Sequence, residues 1–473
     1  MHTVDYVKRP FCACSTPAGK AGIAVIRVSG DNLSDYVDGL FRLIRSADAS
    51  CKKYSDLKGY MAAYADFIDP ENERIVDKVI ITRFVAPHSY TGDEMLEISC
   101  HGGDAVKQEI LRILTDCGIS PAERGEFTKT AFINGKLDLS EAEAVMNVIN
   151  SDSRRALMAS NSQLCGALSK KISEVEDNLY KALALIEMIV EFPEHDDTPE
   201  NSDRVCSMVV NSYEALLEIA RSYEQGRILS ERLKVALCGL PNSGKSTLLN
   251  SLAGFDRAIV TDTPGTTRDT LEIQLEVDGI PVTVVDTAGI RETDDKIEAM
   301  GVKRALSAAG EADLVLYLVS PEMSPSEVED AIGEFEGSKL RVILTKGDLD
   351  SSEERINGIN EVLKDKGIES SLLISAKENQ NMDLLRNLIT EYYSELGGTT
   401  SEGITILSSR HHDLLIKAVD HLIDAENVIN LGVGVDVASS VIRSALDSTG
   451  EITGKVVSGE LVNTIFSEFC IGK

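Results

Sequence analysis

Hydrophobic positions change their period along this chain, and the changes mark its segments. Up to about residue 135, aliphatic runs predict strands at residues 21–28, 78–85 and 95–100, with helical spacing over 106–117, a mixed α/β pattern. From Asp138 onward apolar residues recur at helical spacing through Val145, Ile149, Leu157, Leu164, Leu168, Ile172, Val175 and Leu179 to Ile189. Ser140 and Glu143 carry the S-x-x-E spacing of a capping box at the start of that run. An acidic, proline-bearing break at 192–203 ends it, and a second helical stretch covers 205–225. Residues 231–395 then alternate strand and helix. The aliphatic runs at 233–238, 312–319, 340–344 and 372–374 read as buried parallel strands, with a helix starting over 247–252. Leu271, Ile273, Leu275 and Val277 alternate towards Asp278-Gly279, and 282–285 follow. That is a hairpin signal, placing one antiparallel strand at the sheet edge. Helical spacing returns over 408–429, 437–446 and 458–469, and the chain holds no internal repeat or low-complexity tract.

This order predicts an α/β plus all-α protein in four segments: an N-terminal α+β module at 1–135, a helical part at 136–230, a nucleotide-binding α/β domain at 231–395, and a second helical part at 396–473. The α/β domain is thus inserted in a helical domain.

A chain of 473 residues, 43% hydrophobic, has room for about two to four domains with real cores. No apolar run reaches the ~18 residues of a membrane span, and the first residues, with Asp5, Lys8, Arg9 and Pro10, lack the apolar core of a signal peptide. Nine scattered cysteines offer no disulfide framework. The expected setting is therefore a reducing cytoplasm, with no membrane partner. Cys12 and Cys14 have no second Cys/His pair at metal spacing and read as core thiols. A net charge of −30 argues against nonspecific coating of nucleic acid, while leaving room for a local basic patch that docks one RNA.

The chemistry starts at Gly239-Leu240-Pro241-Asn242-Ser243-Gly244-Lys245-Ser246, a G-x-x-x-x-G-K-S phosphate-binding loop between a predicted strand and a helix beginning at Thr247. Backbone N–H groups and the helix dipole suit an anion there. Lys245 would reach the β- and γ-phosphates, and the Ser246 hydroxyl would sit on Mg²⁺. The loop alone fits ATPases, kinases and GTPases; the motifs that follow in order select GTP. Thr267, within Gly265-Thr266-Thr267-Arg268-Asp269, can give a second Mg²⁺ hydroxyl and sense the γ-phosphate. Asp286-Thr287-Ala288-Gly289 follows a strand, with Asp286 near Mg²⁺ and the Gly289 N–H near the γ-phosphate. In Thr345-Lys346-Gly347-Asp348, the Asp348 carboxylate can accept from guanine N1–H and its 2-amino group, donors adenine lacks. Ser375-Ala376-Lys377 closes the base pocket.

Two departures change the picture. Position 345 is Thr where most GTPases carry Asn, a residue that also braces the phosphate loop, so weaker nucleotide binding is expected. Ile290 follows the D-x-x-G element where Ras-like enzymes carry Gln. An aliphatic side chain cannot orient water, so hydrolysis needs another polar group and another cation. Asn242 and the oxygen-rich segment Thr261-Asp262-Thr263-Pro264 up to Thr267 can serve a monovalent ion, and Glu298 is an acidic residue able to position water.

Asn242 in the loop, Gly265-Thr-Thr-Arg-Asp, and Asp286-Thr-Ala-Gly-Ile-Arg resemble the potassium-activated GTPases of the MnmE (TrmE) tRNA-modification family. The resemblance extends to Ser89-Tyr-Thr-Gly-Asp-Glu, Glu97-Ile-Ser-Cys-His-Gly-Gly, Gly125-Glu-Phe-Thr, Asn134-Gly-Lys-Leu-Asp-Leu and the terminal Phe469-Cys-Ile-Gly-Lys. It implies a P-loop GTPase domain inserted in a helical domain, with an N-terminal folate-binding, dimerising domain. It implies 5-formyl- or 5,10-methylene-tetrahydrofolate contacts at Arg27, Glu97, Lys136 and the terminal Lys473, and a functional thiol at Cys470. It also implies potassium held by Asn242, Thr261, Thr263 and Thr266 in place of an arginine finger, and a water-orienting role for Glu298. The partners implied are tRNA and an FAD-containing MnmG-type protein, and the chemistry is addition of an aminomethyl or carboxymethylaminomethyl group at carbon 5 of the wobble uridine. Pairing and separation of two G domains would act as the switch. Arg124, where Pro commonly precedes Gly-Glu-Phe, and Thr130, where Arg is common, depart from the pattern. Prenylation at Cys470-Ile-Gly-Lys fails because Gly472 is not aliphatic. The alternative reading is a ribosome-assembly GTPase switch without modification chemistry.

Overall fold

Seven strands of the N-terminal segment build one sheet: β1 (Phe11–Cys14), β2 (Ile23–Ser29), β3 (Phe41–Arg45), β4 (Ala62–Asp69), β5 (Arg74–Phe84), β6 (Met95–His101) and β7 (Ser120–Pro121), in the order β3-β4-β5-β6-β2-β1-β7. This computed structural model describes residues 9–45, 51–192, 198–255, 271–286, 306–333, 335, 339–349, 353–368, 371–396, 404–431 and 435–472. It divides into two units, Met1–Met146 with Gly450–Lys473, and Asn147–Thr449.

In the first unit every strand pair is antiparallel except β1 with β7. The period-2 pattern on β2 buries Ala24, Ile26 and Val28, which meet Leu96 and Ile98 of β6 and Ile110, Ile113 and Leu114 of the helix Asp104–Asp116. Arg27 and Glu97 occupy the less buried face of the same two strands. The helix Gly459–Ser467 starts at Ser458, whose hydroxyl accepts from the Leu461 N–H. Val462 and Phe466 of this helix, with Phe469, pack on Leu139 and Ala142. β4 escaped the sequence reading because Ala62-Ala63 and two aspartates dilute its pattern; its burial comes from position in the sheet rather than propensity.

The capping box is corrected. Asp138 Oδ1 accepts the Glu141 N–H at 2.9 Å while Glu141 Oε2 accepts the Asp138 N–H at 2.9 Å. Because the helix begins at Leu139, Ser140 lies inside it, buried, and donates to Asp138 Oδ1. The box is therefore D-x-x-E, two residues earlier than the S-x-x-E spacing suggests.

In the second unit the long helical run divides into Arg154–Leu164 and Ala167–Glu191, broken where Gly166 takes φ 79°. After the acidic break come Pro199–Ala220, capped by Thr198 with Pro199 at its start, and Tyr223–Glu231. Helix Pro199–Ala220 packs on both Ala167–Glu191 and Ser409–Asn430. Helices before and after the α/β segment thus share one bundle, which makes the α/β domain an insertion. That domain holds β8 (Leu233–Cys238), β9 (Leu271–Val277), β10 (Ile280–Asp286), β11 (Leu314–Val319), β12 (Leu340–Leu344) and β13 (Leu372–Leu373), ordered β13-β12-β11-β8-β10-β9. All pairs are parallel except β9 with β10, so the antiparallel strand lies at the edge as the hairpin signal predicts. No helix among the described residues is long and apolar enough to cross a membrane.

Candidate functional site

The phosphate loop leaves the C-terminal end of β8, a central strand flanked by β10 and β11. Its backbone explains its glycine. Gly239 has φ 141°, and a Cβ there would stand 2.5 Å from the Leu318 carbonyl oxygen. Asn242 at φ 63° and Gly244 at φ 98° are left-handed, alternating with their neighbours in the manner of an anion-binding nest. The Lys245 ammonium, nearly buried, donates to the Gly239 and Leu240 carbonyls at 2.7 and 2.8 Å and lies 3.4 Å from the Ser243 hydroxyl. Ser246 and Thr247 are exposed in the first turn of the helix Lys245–Phe255. That N-terminus adds the positive end of a helix dipole.

Beside the loop lies a cavity of 360 Å³ lined by Gly244, Thr247, Thr345, Lys346, Asp348, Ser375, Ala376 and Lys377, among others. Thr345, Lys346, Asp348, Ser375, Ala376 and Lys377 are residues the sequence assigns to base binding, and Gly244 and Thr247 join them from the phosphate loop and its helix. The Gly347 N–H donates to the Ile374 carbonyl at 2.9 Å, which ties the Thr345–Asp348 turn to the end of the next strand. Ser375, fully buried, donates its hydroxyl to Asp348 Oδ1 at 2.7 Å. This bond, then backbone hydrogen bonding and the Lys377 and Lys346 charges, holds the exposed Asp348 carboxyl below its ordinary value. An oriented carboxylate at a cavity mouth is suited to two adjacent N–H donors on one ring edge.

Of the other nucleotide and metal positions, Asp286 ends β10, opposite Leu237 of β8, and nothing is described of its side chain. Thr261, Asp262, Thr263, Pro264, Gly265, Thr266, Thr267, Thr287, Ala288, Gly289, Glu298 and Lys473 lie outside the described residues.

In the first unit Arg27 and Glu97 are direct cross-strand partners, with Nε to Oε1 at 2.8 Å. The Arg27 guanidinium sits 5.7 Å from the centre of the Tyr90 ring. The Ser89–Asp93 loop joins this pair to the third predicted position: Asn134 donates to the Thr91 carbonyl at 2.7 Å and to Asp93 at 3.0 Å. The exposed Lys136 has its Cγ 3.2 Å from where a Gly92 Cβ would be.

Cys470 lies in the C-terminal tail of the same unit. It lines a 440 Å³ cavity with Cys14, Thr16, Gly19, Asp104 and Lys107; Arg27, Glu97 and Lys136 are not in this lining. The tail is seated by the Gly125 N–H on the Cys470 carbonyl at 3.4 Å, by pairing of Arg124 with Ile471, and by the Ser15 hydroxyl on the Gly472 carbonyl at 2.9 Å. The core-thiol reading holds for Cys12, buried with its thiol pushed up to about 12, and in part for Cys14, which packs against the same core while remaining partly exposed. Asp104, Lys107 and Ser15 were not singled out by sequence, since no motif marks them: the helix Asp104–Asp116 carries the first two to the Cys470 cavity, and Ser15 holds the tail at Gly472.

Fold and site together define a P-loop GTPase domain inserted in a helical domain, accompanied by an α+β N-terminal domain. Family models agree segment by segment: GTP-binding protein TrmE N-terminus matches residues 10–136, and MnmE helical domain matches 139–470. The tRNA modification GTPase MnmE of Acetivibrio thermocellus is 37% identical over 99% of this chain and 100% of its own. Those of Carboxydothermus hydrogenoformans and Natranaerobius thermophilus are 37% and 38% identical, each over 98% of this chain and 99% of theirs. Among solved structures, Aquifex aeolicus Era bound to GDP and aluminium fluoride is 27% identical over 40% of this chain and 66% of its own, with a TM-score of 0.28, too low to bear on the fold. The chain belongs to the MnmE family of tRNA modification GTPases.

Proposed function

We propose that this protein is a cytoplasmic, homodimeric, potassium-stimulated GTPase that modifies carbon 5 of the tRNA wobble uridine together with an FAD-containing MnmG-type partner. It carries its folate-binding module at 1–135, helical parts at 136–230 and 396–473, and the G domain at 231–395. The observation that supports this most is that one chain pairs a guanine-type pocket with a thiol tail seated on its N-terminal domain.

The residues present fit the implied groups. The exposed Ser246 hydroxyl is a hard oxygen donor of the kind Mg²⁺ takes, with Thr267 as its second. Asn242, exposed at a left-handed turn of the loop, is free of regular secondary structure and offers an amide oxygen to K⁺, joined by Thr261, Thr263 and Thr266. Lys245 neutralises phosphate charge, and Glu298 orients the attacking water. Arg27 and Glu97, half-exposed and mutually oriented, suit a ligand with both carboxylates and an aminopyrimidine edge, and Lys136 and Lys473 complete that set. Bound tetrahydrofolate would supply the one-carbon unit.

The test is mass spectrometry of wobble uridines in tRNA from cells lacking the gene, complemented by wild type or Cys470→Ser. Loss of the carbon-5 modification, restored by wild type alone, is the expected result. Unchanged tRNA in the deletion would overturn it in favour of a ribosome-assembly switch.

A further inference from the structure

The cavity at the C-terminal tail is walled by two thiols, Cys14 at the end of β1 and Cys470. We propose that Cys14 and Cys470 form a reversible dithiol–disulfide pair, oxidised by a low-molecular-weight disulfide, that fastens the tail to β1.

The backbones on either side of the pair are already in contact. A Cβ on Gly472 would stand 2.6 Å from the Cys14 carbonyl oxygen and 2.8 Å from the Ser15 Cα, and the Ser15 hydroxyl holds the Gly472 carbonyl at 2.9 Å. On the other side the Gly125 N–H holds the Cys470 carbonyl. A disulfide needs Cα atoms within about 7 Å; Gly472, only two residues beyond Cys470, lies against Cys14 itself, and both cysteines border the same cavity. Cys470 is exposed and Cys14 partly so, which lets an external disulfide reach the first and the first reach the second. The competing thiols of the same sheet are withdrawn: Cys12 and Cys100 are buried, and burial pushes them up to about 12 and about 11.

The steps balance. The Cys470 thiolate attacks one sulfur of the external disulfide, whose S–S bond breaks and releases one small thiolate. The Cys14 thiolate then attacks Cys470 Sγ and releases the second. The protein loses two protons and two electrons, and the external disulfide is reduced to two thiols. The functional consequence rests on the reading above: an oxidised Cys470 is withheld from uridine modification while GTP hydrolysis continues.

The test needs no tRNA, so its outcome is separate from that reading. Full-length protein is incubated with oxidised glutathione, digested without reduction and mapped by mass spectrometry. The expected product is a Cys14–Cys470 linked peptide from a single chain, reversed by dithiothreitol. Cys14→Ser protein should instead stop at a glutathione adduct on Cys470, with its GTP hydrolysis rate unchanged. A stable glutathione adduct on wild-type Cys470, or its linkage to another cysteine or another copy, would overturn the proposal, and the wild-type map decides this even if the variant folds poorly.

Discussion

The Thr345 hydroxyl donates a 2.6 Å hydrogen bond to the Ser243 carbonyl, tying the base-binding turn to the phosphate loop. The Thr345 N–H meanwhile holds the Val319 carbonyl at the end of β11. Thr in place of Asn therefore keeps a brace that the sequence alone suggested was lost. Removing the hydroxyl while keeping the shape, with Thr345→Val, leaves a buried carbonyl unpaired and should weaken GDP binding by about tenfold, from a net hydrogen-bond worth of ~1 to 1.5 kcal/mol. Thr345→Asn should bind close to wild type. Titration calorimetry decides it, and a Val variant with undiminished affinity would show that the brace carries no weight.

Asp348 is the guanine-selective residue on this reading. Asp348→Asn exchanges an acceptor for a donor and should lower GTP affinity about 100-fold while raising that for the xanthine nucleotide, whose carbonyl replaces the amino group. Its pH dependence has a definite sign. The Ser375 hydroxyl and nearby positive charges lower the carboxyl from its ordinary value. The ionised form, and any binding it supports, is therefore complete at neutral pH and is lost only as pH falls below the usual carboxylate range. Guanine affinity measured from pH 8 down to about 5 should show no Asp348-dependent loss when wild type and variant are compared.

What the sequence disclosed follows from how local each signal is. The strand–loop–helix at Gly239–Lys245, the turn at Asp348 and the hairpin at Asp278-Gly279 are written in consecutive residues, and each lies where the pattern puts it. The insertion was legible because apolar helical periodicity stops before β8 and resumes at residue 408. The short β7 and the seating of the C-terminal tail beside Cys14 and Ser15 were not. These depend on register between segments far apart in the chain, which no window of sequence contains. Arg27 facing Glu97 is intermediate: alternation puts each on the less buried face, but only the β2–β6 pairing makes them partners.

Thiol reactivity should separate Cys12 from Cys14 although they are two residues apart. Burial and the raised thiol make Cys12 inert, whereas Cys14 borders a cavity. Brief alkylation with iodoacetamide at pH 8 under native conditions should label Cys14 and Cys470 and spare Cys12 and Cys238, with all four labelled after denaturation. Peptide mapping reads this directly, and native labelling of Cys12 at the rate of Cys14 would contradict the burial of Cys12 within β1 against the exposure of Cys14 at its end.

Gly226 tests the return of the chain from the inserted domain to the helical bundle. It lies inside the helix Tyr223–Glu231, where Ala would ordinarily be favoured by about 1 kcal/mol. Here a Cβ would stand 1.8 Å from the Ile406 carbonyl oxygen. That carbonyl cannot easily withdraw: the Ile406 N–H is held by Ser222 Oγ at 3.0 Å, and the Thr405 carbonyl by Gln163 at 2.8 Å. The packing cost of about 3 kcal/mol outweighs the helix gain. Gly226→Ala should therefore destabilise the protein by ~2 kcal/mol in urea unfolding followed by circular dichroism. Gly459→Ala is the control, since a Cβ there meets nothing within 4 Å, and it should unfold as wild type does. If the two variants unfold alike, the close approach of residue 226 to residue 406 does not limit stability, and the seam between the helix and the returning segment is looser than these distances require.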